Sequence, residues 1–534
     1  MGQTISDSKK IFPKTLFFPL IFSIFSGVLL ALSFPKWEFS LFAFIGLVPL
    51  FFAIRHQSLR QSFVMGWIAG LFYFGSTLSW VTITMGQYGH LSPILSNLLM
   101  FLLIAYLSLY TGLFATLVQW GNTITHPVIA RGLPPIVWVS LEWLRGHLLT
   151  GFPWSSLGYS QYHFLSLIQI ADFSGVYGVG FVLVATNILL FRMLIARHGI
   201  DRLKEGAILV GLWLFLFGYG AMRLSQNREG SEILKVTVVQ GNVAQDQKWD
   251  RSLQEKTVTQ YARLSFEAVQ HQQQESSRGN SPSLVIWPEA AMPFVFHDEP
   301  RYQSNIRVLS QEGRFYLLFG SLALIKTDQN KMAFTNSAYL LSPTAGEIFR
   351  YDKIHLVPFG EYVPFGSLLS FVNKMVEGIG DFVPGENASV MEVGQIKVGT
   401  AICFEVIFPE LVRQFVKNGA SIMTTLTNDA WFGDSAAPYQ HFSMVVFRAV
   451  ENRTPFARAA NTGISGFINA QGKILQTTPL FVEATLSASL HPGIQKTFYT
   501  LFGDLFAYAC VTITLLFTTY LCITPRKIKQ ERSE

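Results

Sequence analysis

Eight stretches of this chain are apolar for close to the length a helix needs to cross a lipid bilayer, and this constrains the fold before any single residue is considered. They are “TLFFPLIFSIFSGVLLALSF” (15–34), “FSLFAFIGLVPLFFAI” (39–54), “SFVMGWIAGLFYFGSTLSWVTIT” (62–84), “SPILSNLLMFLLIAYLSLYTGLFATLVQW” (92–120), segments near 126–144, 174–196 and 206–223, and “LFGDLFAYACVTITLLFTTYLCI” (501–523). A bilayer core takes roughly 20 helical residues, and most of these stretches approach that length or reach it by borrowing their flanks. The stretch near 126–144 is the weakest, because it carries Arg131, Pro134, Pro135 and Glu142. Composition agrees: 50% of the 534 residues are hydrophobic and 14% are charged, against about 25% charged in soluble proteins.

The loop charges set an orientation. Lys9, Lys10 and Lys14 precede the first stretch, Arg55 and Arg60 follow the second, and Arg192, Arg197, Arg202 and Lys204 lie between the sixth and seventh. The tail “PRKIKQERSE” is basic as well, whereas the alternate loops carry at most an isolated charge such as Lys36 or Arg145. The positive-inside rule then predicts both termini in the cytoplasm and residues 224–498 on the far side of the membrane. The net charge of +6 is explained by these loops, so no nucleic-acid partner is expected. A cleaved signal peptide is a poor reading of the N-terminus, since no A-x-A-like site follows and further apolar stretches do. Three cysteines without CxxC or CxxH spacing exclude a disulfide framework and argue against a metal site; no cofactor is expected.

Residues 224–498 read as an inserted α/β domain large enough to bury its own core. Strand patterns occupy 234–242, 283–289, 315–324, 336–343, 346–353, 395–405, 420–429 and 465–473, and helical patterns fall at 251–273, 300–312, 405–418 and 438–454. Alternating apolar strands and helices predict sheets covered by helices. The predicted organisation is a membrane domain over 1–223 with about seven helices, an extracytoplasmic domain over 224–498, a last membrane helix over 499–523 and a basic tail over 524–534.

Three reactive residues stand where apolar strands end: Glu289 after “LVIWP”, Lys353 after “IFRYD” and Cys403 after “VGTAI”. Each has a plain alternative, since Glu289 could be a solvated turn residue, Lys353 a surface lysine and Cys403 a small buried hydrophobe. Together they supply what acyl transfer needs. A thiol requires a base or a nearby cation to act as a nucleophile; a carboxylate can take its proton and a lysine can hold an oxyanion.

“WPE”, “YDKIHLVPFGEYVP” and “ICFE”, in that order, resemble the nitrilase (carbon–nitrogen hydrolase) superfamily, whose members use a Glu-Lys-Cys triad. With the eight-stretch layout, and with “QGNVAQDQKWD” (240–250), “GFPWSSLGYSQ” (151–161), “TNDAWFGDS” (427–435) and “RAVENRTPFARAANTGISG” (448–466), the whole chain resembles the apolipoprotein N-acyltransferase family. The resemblance implies an α-helical integral membrane bundle carrying an inserted nitrilase-like αββα-sandwich domain. It makes Glu289 the general base and acid, Lys353 the oxyanion-stabilising lysine and Cys403 the nucleophile. Glu361 and Glu405 match supporting acids, and Trp249 and Trp431 match aromatic positions near the active-site entrance. Phe404 stands where many relatives carry Tyr, and is read as packing or lipid contact. His355 and His441 sit in no protease signature. Arg448 and Glu451, at i,i+3 spacing on a predicted helix that also takes in Arg453, read as a structural ion pair. Cys510 and Cys522, inside the last apolar stretch, read as packing.

The resemblance also implies the substrates: a phospholipid acyl donor, phosphatidylethanolamine, and an apolipoprotein bearing an N-terminal diacylglyceryl cysteine. It implies a ping-pong cycle through a thioester on Cys403 in lipoprotein maturation, a monomer, and a bacterial inner-membrane location with a periplasmic catalytic domain. The apolar loops 291–299 and 364–384 are expected to form a lid dipping into the outer leaflet, and alternatively to cap the core of the domain. A membrane-anchored amidase that passes the acyl group of a small amide to water would use the same triad, so the triad alone leaves that reading open. The topology and the stretches “GFPWSSLGYS” and “TNDAWFGD” favour transfer.

Overall fold

The computed structural model describes residues 16–122, 126–226, 230–275, 281–327, 330–344, 348–363 and 382–523. Lys9, Lys10, Lys14, the basic tail and most of the apolar loop 364–384, with Phe365 and Leu368, lie outside the described residues.

All eight apolar stretches are helical. The helices are Phe17–Leu32, Ser40–Phe44 with Val48–Ile54, Leu59–Thr77 with Val81–Ile83 and the π-turn Thr84–Tyr88, Pro93–Gly121, Pro127–His147, Ala171–Ile195, Gly199–Ser225 and Leu505–Ile523. The expected count of eight independent spans is corrected by length and composition. Four of the described helices are long and apolar enough to cross a membrane, and five if the pair bent by 60° at residues 78–80 is one span. Phe17–Leu32 has 16 residues, about 24 Å at 1.5 Å each, against a bilayer core of about 30 Å. The second stretch is broken into a 3-10 turn and a helix of seven residues. Pro127–His147 contains Pro134 and Pro135 and carries Arg131, Glu142 and Arg145, which lower its hydropathy.

Contacts nevertheless show the eight segments running back and forth between two ends of one bundle. At one end Gln119 donates to the Gln57 carbonyl, and Arg131 and Arg192 share Glu205. At the other, Lys36 pairs with Asp434, Thr84 donates to the Trp431 carbonyl, Trp154 reaches Gln440 and Trp143 reaches Asp504. This second end carries the α/β domain.

The α/β domain is two packed sheets. Its strands are β1 Leu234–Gln240, β2 Ser283–Ile286, β3 Met292–Val295, β4 Tyr316–Lys326, β5 Met332–Leu341, β6 Ile348–Asp352, β7 Val390–Val393, β8 Ile396–Ile402, β9 Ile422–Thr427, β10 Phe456–Ala460, β11 Gly466–Ile468, β12 Ile474–Thr477 and β13 Ala484–Leu490. One sheet runs β13-β1-β2-β4-β5-β6 with β3 beside β4, and the other runs β12-β11-β10-β9-β8-β7. Successive strand residues point to opposite faces, and the cores divide accordingly. Val236, Val238, Leu284, Ile286 and Leu318 share a core with Val398, Ile402 and Ile422 of the second sheet. Their neighbours Val239, Val285, Leu317 and Phe319 pack with Val258, Tyr261, Leu264 and Ile306 of the helices Gln254–Glu275 and Pro300–Gly313. Helices Pro409–Lys417 and Ala437–Asn452 cover the second sheet. The result is an αββα sandwich.

The helix Ala437–Asn452 has two partners. All its residues but Tyr439 are buried, because its outer face packs on Ala171–Ile195 and on the turn Leu157–Gln161 of the membrane bundle. The predicted ion pair is present on it: Arg448 and Glu451 approach to 2.9 Å with both side chains fully buried. Arg453 lies just past the helix end in a left-handed conformation and pairs with Asp172 of the bundle at 2.7 Å.

Several strands escape the sequence pattern: β3, β7, β10, β12 and β13. In the segment 291–299, expected as a lid or as a cap on the domain core, Ala291–Phe294 and Phe296 are buried and His297 and Asp298 exposed. β3 pairs with β4, and Phe294 and Phe296 are buried in the core under Pro300–Gly313, so their apolar character serves packing. The helix expected over 405–418 begins as a tight turn, Cys403–Ile407, before Pro409–Lys417.

Candidate active site

Strands β1, β2 and β4 are mutually parallel, as are β8, β9 and β10. Their C-terminal ends open into one set of loops, where open α/β sheets bind ligands. Strand β6 returns parallel to β4 after two antiparallel pairings, so Lys353 reaches the same end. Four non-glycine residues hold positive φ in these loops: Asn242 (52°), Ala290 (47°), Phe359 (62°) and Cys403 (53°). Such conformations cost about 1 kcal/mol or more and cluster at functional sites. At Cys403 the left-handed turn ends β8 abruptly and sets the thiol at the strand tip. Gly320 permits the neighbouring loop to approach, since a Cβ there would stand 2.5 Å from the Ala290 nitrogen and 2.7 Å from the Glu289 Cα.

The structure brings Glu289, Lys353 and Cys403 together, with Glu361 among them. One Glu289 oxygen accepts from Asn336 Nδ2 at 2.8 Å and lies 3.5 Å from Lys353 Nζ; the other accepts the Asn428 backbone N–H at 3.0 Å. Lys353 Nζ donates to Glu361 Oε1 at 2.9 Å, Asn336 Nδ2 also donates to that oxygen at 2.9 Å, and Val357 N–H donates to Glu361 Oε2 at 2.8 Å. Lys353 is 1% exposed. Burial alone would lower its pKa, but Glu361, Glu289 and Cys403 outweigh burial and hold the ammonium charged. The Cys403 thiol is pushed up by burial and by Glu289, and drawn down by Lys353. The resting site is therefore a protonated thiol beside a fixed ammonium and an orientated carboxylate.

Glu405 organises the turn. Its Oε2 accepts the Ile402 N–H at 2.6 Å, and its Oε1 accepts from Ile354 N–H at 2.6 Å, His355 N–H at 3.2 Å and the Tyr351 hydroxyl at 2.8 Å. One carboxylate thus ties the Cys403 turn to the loop that follows Lys353. Burial pushes its pKa up to about 7 against these donors. A carboxyl that titrates higher folded than unfolded contributes its full stability below about pH 4.5 and loses it as the pH rises through about 7. In Glu405→Gln this slope should vanish from the melting temperature between pH 5 and 7. The amide nitrogen that replaces one oxygen cannot accept, so a buried N–H is stranded; acyl transfer should fall by about tenfold or more.

His441 also acts on the backbone. Its Nε2 lies 3.2 Å from the Cys403 carbonyl and its Nδ1 3.0 Å from Asp429 Oδ1, while Arg458 binds Asp429 Oδ2 at 2.7 Å. Burial and Arg458 lower the His441 pKa. His355 stacks on Phe408 with ring centroids 3.7 Å apart. Phe404 is packed between His355 and Phe408. Trp249 packs on Leu322, Leu356 and Phe382. Trp431 meets Tyr88 of the bent bundle segment edge to face at 5.7 Å. Two surface grooves, one between Leu264 and Ser487 and one around Glu38 and Lys473, are lined by none of the triad residues. Cys510 is buried and Cys522 exposed on the last helix, away from this chemistry.

Sequence reasoning missed Asn336, Asn428, Asp429, Arg458 and Lys248 as site residues. Lys248 is 3% exposed and donates to the Glu289 carbonyl at 2.8 Å. The only signal for it was its place beside Trp249 in “QDQKWD”. Among the described residues no group of three or more His, Cys, Asp or Glu side chains could hold a metal ion.

Residues 26–189 match the apolipoprotein N-acyltransferase N-terminal domain, and residues 235–497 match the carbon-nitrogen hydrolase family. The chain is 46% identical over 500 residues to an apolipoprotein N-acyltransferase from Geobacter metallireducens, covering 92% of this chain and 93% of that protein. It is 31% identical to one from Pasteurella multocida, covering 97% and 98% respectively. Among solved structures, an amidase of the nitrilase superfamily from Nesterenkonia AN1 aligns with 51% of this chain and 94% of its own at 17% identity, with a TM-score of 0.35.

Proposed function

The chain belongs to the apolipoprotein N-acyltransferase family, and from that premise we propose that it moves a fatty acyl chain from a phospholipid, through a thioester on Cys403, to the α-amine of a lipoprotein's diacylglyceryl cysteine. The observation that carries the mechanism is the meeting of three strand ends, where Glu289 and Lys353 lie 3.5 Å apart and both act electrostatically on the buried Cys403 thiol.

Glu289 takes the thiol proton, and the thiolate attacks the ester carbonyl of the donor. Negative charge moves onto the carbonyl oxygen, where the Lys353 ammonium stabilises it. Collapse expels the lysophospholipid alkoxide, which takes the proton back from Glu289 and leaves the thioester. The lipoprotein amine then attacks. Its pKa of roughly 7.7–8.0 leaves a usable neutral fraction near pH 7. Glu289 accepts the amine proton and returns it to the departing thiolate, completing the amide. Glu361 and Asn336 hold the lysine and the base in register throughout.

Phosphatidylethanolamine as donor, a monomeric enzyme and a bacterial inner-membrane location complete the reading. The basic residues of the bundle support the orientation: Arg55, Arg60, Arg197, Arg202 and Lys204 are exposed at the end remote from the α/β domain. The reading is of a catalytic domain on the periplasmic side of the membrane and of basic loops on the cytoplasmic side. Trp249 and Trp431, on the loops at the mouth, would contact the incoming acyl chains.

The test is to incubate the purified enzyme with phosphatidylethanolamine labelled in its acyl chains, quench, and map the label. A hydroxylamine-labile acyl group on the Cys403 peptide that disappears into an amide when a diacylated lipopeptide is added is the expected result. Release of free fatty acid with no acyl-enzyme and no amide would sink the transferase reading.

A further inference from the structure

The charges buried around the thiol do not balance without Lys248. Asp429 is paired with Arg458 at 2.7 Å, and both are fully buried. Glu405 is met by three backbone N–H groups and the Tyr351 hydroxyl. Glu289 and Glu361, however, share the single ammonium of Lys353. A carboxylate pair with one cation leaves a buried excess negative charge, and that excess opposes any further anion such as a thiolate. Lys248, 3% exposed, is a further buried cation against the Glu289 loop. Its ammonium sits on the Glu289 backbone carbonyl, and its electrostatic partners are Glu289 and Cys403.

The loop that carries Lys248 is fixed for this purpose. Asn461 accepts the Val243 N–H at 2.9 Å and donates to the Val243 carbonyl at 2.7 Å. Asn428, whose own N–H binds Glu289, donates to Gln245 at 2.7 Å. The loop after β1 is thereby tied to the loops after β9 and β10, and preorganisation of this kind holds a charge where it is needed.

We propose that Lys248 is a positioning residue of the active site, a second cation that offsets the unpaired carboxylate of the Glu289–Glu361 pair and so allows Cys403 to ionise. This rests on the reading of Cys403 as nucleophile. The charged groups acting on the thiol are then Glu289 and Asp429 on the negative side and Lys353 on the positive, with the Thr427 hydroxyl among them; Lys248 stands on the Glu289 carbonyl and His441 on the Cys403 carbonyl. Burial lowers the Lys248 pKa to about 8, so the ammonium persists at neutral pH.

The experiment measures the rate of Cys403 alkylation by iodoacetamide against pH in the full-length enzyme in detergent, with the modified peptide mapped by mass spectrometry. Lys248→Gln keeps a donor for the Glu289 carbonyl but removes the charge, and Lys248→Arg keeps both. The Gln variant is expected to shift the profile alkaline by about one unit, a tenfold lower rate on the rising limb, with the Arg variant close to wild type. The pH dependence of Cys403 acylation by labelled phospholipid should shift in the same way. An unchanged Gln profile, or equal shifts in Gln and Arg, overturns the role of Lys248 while leaving the nucleophile reading intact. Transfer that survives Cys403→Ala overturns both.

Discussion

Replacing Cys403 by alanine is expected to reduce acyl transfer by at least about a thousandfold while the enzyme stays folded. Among the described residues no second thiol stands with Glu289 and Lys353. Among the described residues Cys510 and Cys522 lie on the last helix, and His441 faces the Cys403 carbonyl rather than the thiol. The fold should tolerate the change because alanine meets the same left-handed backbone at φ 53° that cysteine already occupies, and only one sulfur atom is removed. Transfer assays on diacylated lipopeptide, together with a melting curve in detergent, check both halves. A residual rate within tenfold of wild type would contradict the nucleophile assignment.

Arg448→Met is expected to cost about 3–5 kcal/mol of stability, the largest effect anticipated for a residue with no part in the chemistry. Arg448 donates to Glu451 at 3.0 Å and to the Tyr159 hydroxyl at 2.8 Å, with both members of the pair fully buried. Glu451 in turn accepts the Val176 N–H at 3.0 Å. Burial already pushes the Glu451 pKa up to about 7, with Arg448 opposing; without the guanidinium the carboxylate has no cation. Removing one partner of a buried pair costs far more than replacing both, so Arg448→Met with Glu451→Gln should recover a large part of the loss. Thermal unfolding of the single and double variants measures this. A single variant that melts like wild type would show that the pair is not buried as described.

The three triad positions were legible because each is a lone reactive residue closing an apolar strand, and the family resemblance supplied their roles. The strands that carry them, β2, β6 and β8, were legible for the same reason. β10 was not, since “FARAA” has no β-branched residue and holds Arg458, whose burial depends on Asp429 in the turn after β9. β3 reads equally as a lid or as a cap on the domain core, because an apolar run looks alike whether it faces lipid or a core. Lys248 was invisible because its burial follows from how the loop after β1 is clamped by Asn461 and Asn428, which no local pattern encodes. The bundle shows the same limit. Composition marked all eight helical segments, but not the break at residues 45–47 nor the bend at 78–80.

The seam along Ala437–Asn452 has a consequence for how the enzyme comes into being. Trp154 donates to Gln440 across 286 residues of sequence, and its ring lies 5.6 Å from His441, which holds the Cys403 carbonyl. The support for the nucleophile's turn is thus translated early, within the bundle, and waits for the rest of the chain to emerge. A catalytic domain released on its own would lack Trp154 and Tyr159 and would expose the apolar outer face of its best-buried helix. The turn at Cys403 therefore reaches its final support only in a chain whose first half has already folded against it.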